Sequence, residues 1–153
     1  MAPELKVFVL AALPISEVRG SVPLGLYFGL SPIKIVLLSI LGSVLPVFPI
    51  LWGLNTLTQH LRKINIFDRF FEWLFRRTHS KSKLIERLEE VGLAIFIAIP
   101  SPFTGVWTGC VAAYLFELPL IPTFIAAFVG TSLASLIVLG MSLGIISFSH
   151  ILF

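Results

Sequence analysis

Charge is the first thing this chain lacks. Only 12% of its 153 residues are Asp, Glu, Lys or Arg, about half the share that a soluble domain carries to cover its surface. A water-facing exterior cannot be built from so few charges. Cysteine is nearly absent too: Cys110 stands alone, so no disulfide can form within the chain and the redox compartment cannot be inferred. His60, His79 and His150 have no metal-ligand spacing, and no nucleophile, base and orienting group stand in a hydrolytic arrangement. We therefore expect no enzyme, no metal and no cofactor.

What is present is apolar. Hydrophobic residues make up 57% of the chain and the mean hydropathy is +1.00, which indicates an integral membrane protein. The short run Val7 to Leu13 has Glu4 where a signal peptide would be basic and no small-x-small cleavage pattern after it, so it is expected to be retained. Ile33 to Thr56 and Leu118 to Ser149 are long enough to cross, at about 36 and 48 Å against a hydrocarbon core of about 30 Å. The second exceeds one upright crossing and must tilt, break near Gly140 or Gly144, or run on along the interface.

The charges that exist are concentrated. Eight of the eleven Lys and Arg residues, Arg62, Lys63, Arg69, Arg76, Arg77, Lys81, Lys83 and Arg87, lie between residues 57 and 91, which places this loop on the cytoplasmic side. Phe67, Phe70, Phe71, Leu74 and Phe75 recur there at helical spacing, with Asp68, Arg69, Glu72 and Arg76 elsewhere on the turn. That pattern predicts an amphipathic helix on the membrane surface or a packed connector helix. Membrane lipids are the expected partner of the basic residues, and nucleic acid is not.

Lys6 to Leu30 and Gly92 to Phe116 are apolar but interrupted, by Pro14-Ile15-Ser16-Glu17-Val18-Arg19-Gly20 and by Pro100-Ser101-Pro102-Phe103-Thr104-Gly105. An arm of eight helical residues covers only about 12 Å, so it reaches the midplane without crossing. This is the outline of a re-entrant hairpin, whose irregular tip must be buried in protein or line a cavity. Pro14, Gly20, Pro32 and Gly42 return as Pro100, Gly105, Pro119 and Gly130 at nearly constant offset, which suggests repeats. The expected fold is all-α: two inverted repeats (about 3–56 and 92–149), each a re-entrant helical hairpin plus a transmembrane helix, joined by a cytoplasmic amphipathic linker (about 57–91).

Glu17 and Arg19 are the ionisable residues deep in the first interrupted segment, and a charge at the bilayer centre costs about 2.5 to 3.5 kcal/mol even on the lenient insertion scale. They are read either as a mutually paired lock or as a substrate or proton-coupling site. Glu17 can load and release a proton, whereas Arg19 stays charged and suits an anionic head group. The second tip has hydroxyls, freed backbone groups and Trp107, which fits an interface anchor or a substrate contact. Gly25 with Gly29, Gly105 with Gly109, and Gly140 with Gly144 read G-x-x-x-G; they allow close helix packing, and the last pair also a homodimer.

Glu-Val-Arg-Gly-Ser-Val-Pro-Leu-Gly at 17 to 25 and Ala-Ile-Pro-Ser-Pro-Phe-Thr-Gly-Val-Trp-Thr-Gly at 98 to 109 resemble the two signature stretches of the putative small multidrug export proteins of prokaryotes. The layout is similar to that of the wider DedA/VTT superfamily. The resemblance spans about residues 3 to 140. It implies a small transporter or flippase of the cell (inner) membrane, moving an amphipathic or small organic substrate. It also implies site residues Glu17, Arg19, Gly20, Pro23, Gly25, Pro100, Pro102, Thr104, Gly105, Trp107, Thr108 and Gly109. The alternatives are a polyprenyl-phosphate or lipid translocase of DedA-like type and a non-transporting membrane scaffold or assembly factor. Two departures bear on this choice. Ser101-Pro102-Phe103 stands where a Pro-Gly turn is expected, and the second tip lacks the arginine typical of DedA proteins, which counts against a lipid-phosphate substrate.

Overall fold

The computed structural model describes residues 2–61, 69, 72–73, 83–101 and 104–152, all of them in helices or short connections. Helix α1, Pro3–Ala12, starts with proline at its first position, where the missing N–H costs nothing. It ends where Leu13, directly before Pro14, turns extended. Helix α2, Glu17–Tyr27, follows after one turn. Helix α3, Pro32–Val44, again opens on proline, and α4 is Val47–Leu61. The second half holds α5, Lys83–Ala98, then α6, Val106–Leu115, and α7, Leu120–Leu152.

Two stretches, Pro32–His60 and Leu120–Ser147, are long and apolar enough to cross a membrane. They differ in continuity. The first, expected as one helix, is interrupted by a turn at Leu45 and Pro46, because Pro46 cannot donate to the helical ladder and its ring crowds the carbonyl four residues earlier. The second stays helical through Gly140 and Gly144. Beyond Gly140 it leaves the packed body, with Met141 and Ile145 at 59% and 70% exposure. Glycine keeps its backbone N–H, so it lowers helix propensity without forcing a break.

Helix α5, Lys83–Ala98, is also longer than expected and reaches into the predicted linker. Leu84, Ile85, Leu88 and Val91 continue its apolar spacing among good helix formers. Of the linker residues, Arg69 is exposed; Phe67, Phe70, Phe71, Leu74, Phe75 and Arg76 lie outside the described residues.

The burial pattern is that of a protein with an apolar solvent. Ser21, Ser39, Ser43, Thr131, Ser135, Ala11 and Ala127 are fully buried, whereas Ile33, Trp52 and Ile121 are more than two-thirds exposed. Val7, Val22, Ile35 and Val47 share that interior, but a soluble domain does not leave so much large apolar surface facing outward. In lipid, large side chains gain nothing by turning inward, so small residues that let backbones approach take the interior. Gly42 shows the effect: an added Cβ would run into the carbonyl of Phe8 and lie 2.7 Å from the Cβ of Ala11. Gly130 repeats it in the second half, 2.6 Å from the carbonyl of Ala94 and 2.7 Å from the Cβ of Ile97.

The halves share their turns as well. After α2, Gly29 N–H bonds the carbonyl of Leu26 and Leu30 N–H that of Gly25; after α6, Glu117 N–H bonds Tyr114 and Leu118 N–H bonds Ala113. Both are Schellman ends with a left-handed residue, Gly29 at φ 70° and Glu117 at φ 55°. The spacing between them is that between Gly42 and Gly130. Helices α3 and α7 run in opposite directions: Ile35 clusters with Ala134 and Val138, while Ile40 and Val44 cluster with Ala126 and Ala127.

Candidate functional site

Both interrupted segments end their first helix at a proline and restart after a short irregular stretch, and the two stretches meet. In the first tip, Ser16 Oγ donates to the carbonyl of Leu10 at 3.0 Å, which ties the turn back onto α1. Gly20 admits this approach, since a Cβ there would lie 2.7 Å from that of Ser16. Glu17 then begins α2 with φ 40°, a left-handed conformation disfavoured for any residue with a side chain. In the second tip, Thr104 organises the turn. Its hydroxyl lies within bonding reach of the carbonyls of Ile99 and Ser101 and accepts the N–H of Ser101 at 3.2 Å.

Glu17 is 5% exposed. Its two carboxylate oxygens accept the backbone N–H groups of Val106 and Trp107, each at 3.4 Å. Those are the first two N–H groups of α6, which have no partner within their own helix. Gly105, the residue at the cap position, provides no side-chain cap. Glu17 therefore caps α6 from the other half of the chain, and its charge sits against the positive end of that helix dipole. Gly105 is what makes room: a Cβ there would lie 2.7 Å from the Glu17 carboxyl carbon and in collision with Oε2.

Arg19 crosses the same boundary. Its Nη2 donates to the carbonyl of Thr104 and lies 3.2 Å from the Thr104 hydroxyl. A third bond runs the other way, from the Trp107 indole N–H to the carbonyl of Ala12 at 3.2 Å, which satisfies an orphan carbonyl at the end of α1. Glu17 and Arg19 are thus each bonded to the opposite tip rather than to one another.

The predicted residues divide by position. Glu17, Arg19, Thr104, Gly105 and Trp107 form the junction, and Gly20 shapes its turn. Gly25 packs on the side chain of Ile35 and Gly109 on that of Ile97, away from the junction. Pro23, Pro100 and Thr108 are exposed, and Pro102 lies outside the described residues. Of the three glycine pairs, close packing is realised at Gly25, Gly105 and Gly109. Gly29, Gly140 and Gly144 have open space around them, Gly29 serving the left-handed turn instead. Ala12 and Val106 were not foreseen, because they contribute backbone groups that no residue type signals.

Beside the junction, a cavity of about 470 Å³ lies between α4 and α6, walled by Pro46, Ile50, Gly53, Trp107, Thr108 and Val111. Its wall is almost wholly apolar, so it suits a hydrocarbon or aromatic body.

Residues 17–137 match the model of a family described as putative small multi-drug export protein, a span that begins at Glu17, within the first tip, and covers the second tip whole. This chain belongs to that family. Neither a curated protein nor a solved structure matches it. Membership in an export family accords with a membrane transporter rather than an enzyme, and in this family member the signature residues of two distant stretches converge on one junction.

Proposed function

We propose that the chain is a small exporter of the prokaryotic inner membrane whose two interrupted segments are re-entrant hairpins meeting at the midplane. The carrying observation is the junction itself: a carboxylate and a guanidinium of one tip are bonded to the backbone of the other. Depth supports the reading. Ser43, near the end of the 13-residue α3, donates to the carbonyl of Ala11 at 3.0 Å, and Gly130 beside Ile97 lies about 15 Å along α7, half a hydrocarbon core. With the basic linker cytoplasmic, α1 and α2 dip from outside and α5 and α6 from inside, as inverted repeats. The layout is DedA-like in this sense.

Transport then consists of opening and closing the junction. Protonation of Glu17 removes the charge held by the α6 N-terminus and weakens both bonds, since charge-assisted hydrogen bonds are roughly twice as strong as neutral ones. The apolar cavity beside Trp107 receives an amphipathic or small organic substrate as the tips part. Arg19 is engaged with Thr104, so a lipid-phosphate substrate would first have to displace that contact. The exporter is a homodimer in this reading, with the open Gly140 and Gly144 face of α7 as the contact.

Two measurements test this. Tags on both termini should be labelled from outside in intact cells; protection of either tag on a folded protein removes the re-entrant topology. In proteoliposomes, flux of an amphipathic dye such as ethidium should follow an imposed pH gradient and lose that dependence in Glu17→Gln. A folded Glu17→Gln variant with unchanged pH-driven flux would remove Glu17 from the coupling, and absence of flux across a broad dye panel would leave a scaffold.

A further inference from the structure

Where α2, α3 and α7 meet, the hydroxyls of Ser21, Ser39, Thr131 and Ser135 are fully buried. Ser21 and Ser39 share a hydrogen bond of 2.7 Å between α2 and α3. Thr131 stands at the same level on α7: Ala134 and Val138, on its face of the helix, cluster with Val18, Val22 and Ile35, while Ala127, one turn the other way, clusters with Ile40 and Val44. The Thr131 side chain therefore looks between α2 and α3, opposite Ser39.

Thr131 differs from its neighbours in one respect. Thr123, Ser132 and Ser135 of the same helix each donate to the carbonyl four residues earlier, at 2.8, 2.7 and 2.8 Å. Thr131 Oγ1 has no hydrogen-bond partner in the protein, although such a back-bond is open to threonine in a helix. Burying a hydroxyl unpaired is unfavourable, so groups of this kind are nearly always bonded to protein or to ordered water. A second proton beside it is also unplaced: one hydroxyl of the Ser21–Ser39 pair donates to the other, whose own proton has no acceptor among the described residues.

We infer that this seam binds one internal water between Thr131 and the Ser21–Ser39 pair, and that the hydrated seam is the proton relay serving Glu17 from the outer face. The relay role rests on the coupling proposed above for Glu17. A water suits the site because it accepts both unplaced protons and donates its own two to hydroxyl oxygens, within the range of about two to four bonds that a buried water makes. A metal ion does not suit it, since uncharged hydroxyls cannot offset the loss of its hydration.

Position ties the seam to Glu17. Ser21 follows Glu17 by one helical turn on α2. The ionisable groups around the carboxylate are Arg19, turned to Thr104, and the thiol of Cys110, within electrostatic reach on α6. Among the described residues, α1, α3 and α7 place none at this depth: Glu4, Lys6 and Lys34 lie toward the outer ends of α1 and α3. A proton approaching from outside therefore has hydroxyls and water to pass along and no carboxylate or imidazole. Ser31, Ile35, Ser39 and Ser43 follow one another at four-residue spacing on α3. Ile35, packed on Gly25, is the apolar turn that closes the row between buried Ser39 and exposed Ser31.

Two measurements on the purified full chain test this. A structure in lipid that resolves ordered water should place one within hydrogen-bonding distance of Thr131 Oγ1 and of Ser21 or Ser39, and Thr131→Val should lack it. In proteoliposomes, Thr131→Val should slow pH-driven flux of ethidium about tenfold, the order expected for one hydrogen bond lost in the transfer step, while ethidium exchange at equal pH on both sides keeps the wild-type rate. Thr131→Ser, which retains the hydroxyl, should restore the flux, and Ser132→Ala, which loses only a bond within its own helix, should match wild type in both assays. A seam without water, wild-type pH-driven flux in Thr131→Val, or an equal loss in both assays would each overturn the inference. If Glu17→Gln abolishes the pH dependence and Thr131→Val leaves it intact, the relay fails and the coupling stands; a wild type indifferent to the pH gradient removes both.

Discussion

The two tips of this protein are built alike and equipped differently. Both follow a helix stopped by proline, and both restart a second helix after a few irregular residues. The first contributes charged side chains, Glu17 and Arg19; the second contributes the groups those charges need, two helix N-terminal N–H groups and a carbonyl. Neither tip is complete alone. A buried carboxylate without donors and a helix start without a cap are each unfavourable at depth, and joining them removes both penalties at once. The difference between the tips is therefore complementarity, and it explains how a fold with two similar halves can hold a single charged pair without an ion pair between them.

The largest effect that bears on this complementarity is expected in a double-mutant cycle. Glu17→Gln and Arg19→Gln should each cost about 2 kcal/mol, the range for hydrogen bonds to charged groups, and the double variant about 4 kcal/mol. Were the two residues each other's partners, the double variant would instead recover most of the loss of either single one. Unfolding of the purified protein in micelles distinguishes the two outcomes. The sequence made both arrangements available, and only the cross-tip distances select between them.

Next comes Gly105. Gly105→Ala places a methyl group on the Glu17 carboxylate and should cost about 2 to 3 kcal/mol by overpacking. In a Glu17→Ala background the same change should cost far less, because the colliding group is gone. A similar penalty in both backgrounds would mean that Gly105 matters for some reason other than the junction. Smaller again, Trp107→Phe keeps an aromatic ring and loses the bond to the carbonyl of Ala12, for about 1 kcal/mol from the bond itself. A melting temperature equal to wild type would reduce that bond to a bystander.

An effect of the same small size compares the two Schellman ends. Glu117→Gly and Glu117→Ala both remove the carboxylate, but glycine relieves the left-handed strain and alanine keeps it, so the glycine variant should be the more stable by about 1 kcal/mol. Equal stability would show that the turn at Glu117 relaxes and that its likeness to Gly29 is superficial.

Much of the architecture could be read from residue types because lipid imposes simple demands. Sparse charge and long apolar runs announce membrane-compatible helices. Prolines at 3, 32, 14 and 100 mark where helices begin and stop, and the glycines at 42 and 130 mark where backbones touch. Pro46 is the same kind of signal but an ambiguous one, since a proline inside a long apolar run does not reveal whether the helix bends or continues. The reach of α5 into the linker and the unbroken course of α7 were equally open, because propensity sets the cost of continuing a helix and neighbouring elements decide whether it is met.

At the site the division is sharper. That Glu17 and Arg19 are out of place in an apolar segment follows from composition alone, since an ionised group at depth must find partners. Which partners it finds does not. Glu17 is held by two backbone N–H groups and Arg19 by a backbone carbonyl, and such groups are nearly the same for every amino acid, so no residue type discloses them. They became a binding site for charge only when the chain brought residue 17 to within hydrogen-bond distance of residues 106 and 107, at the one place along α6 where N–H groups are left unpaired.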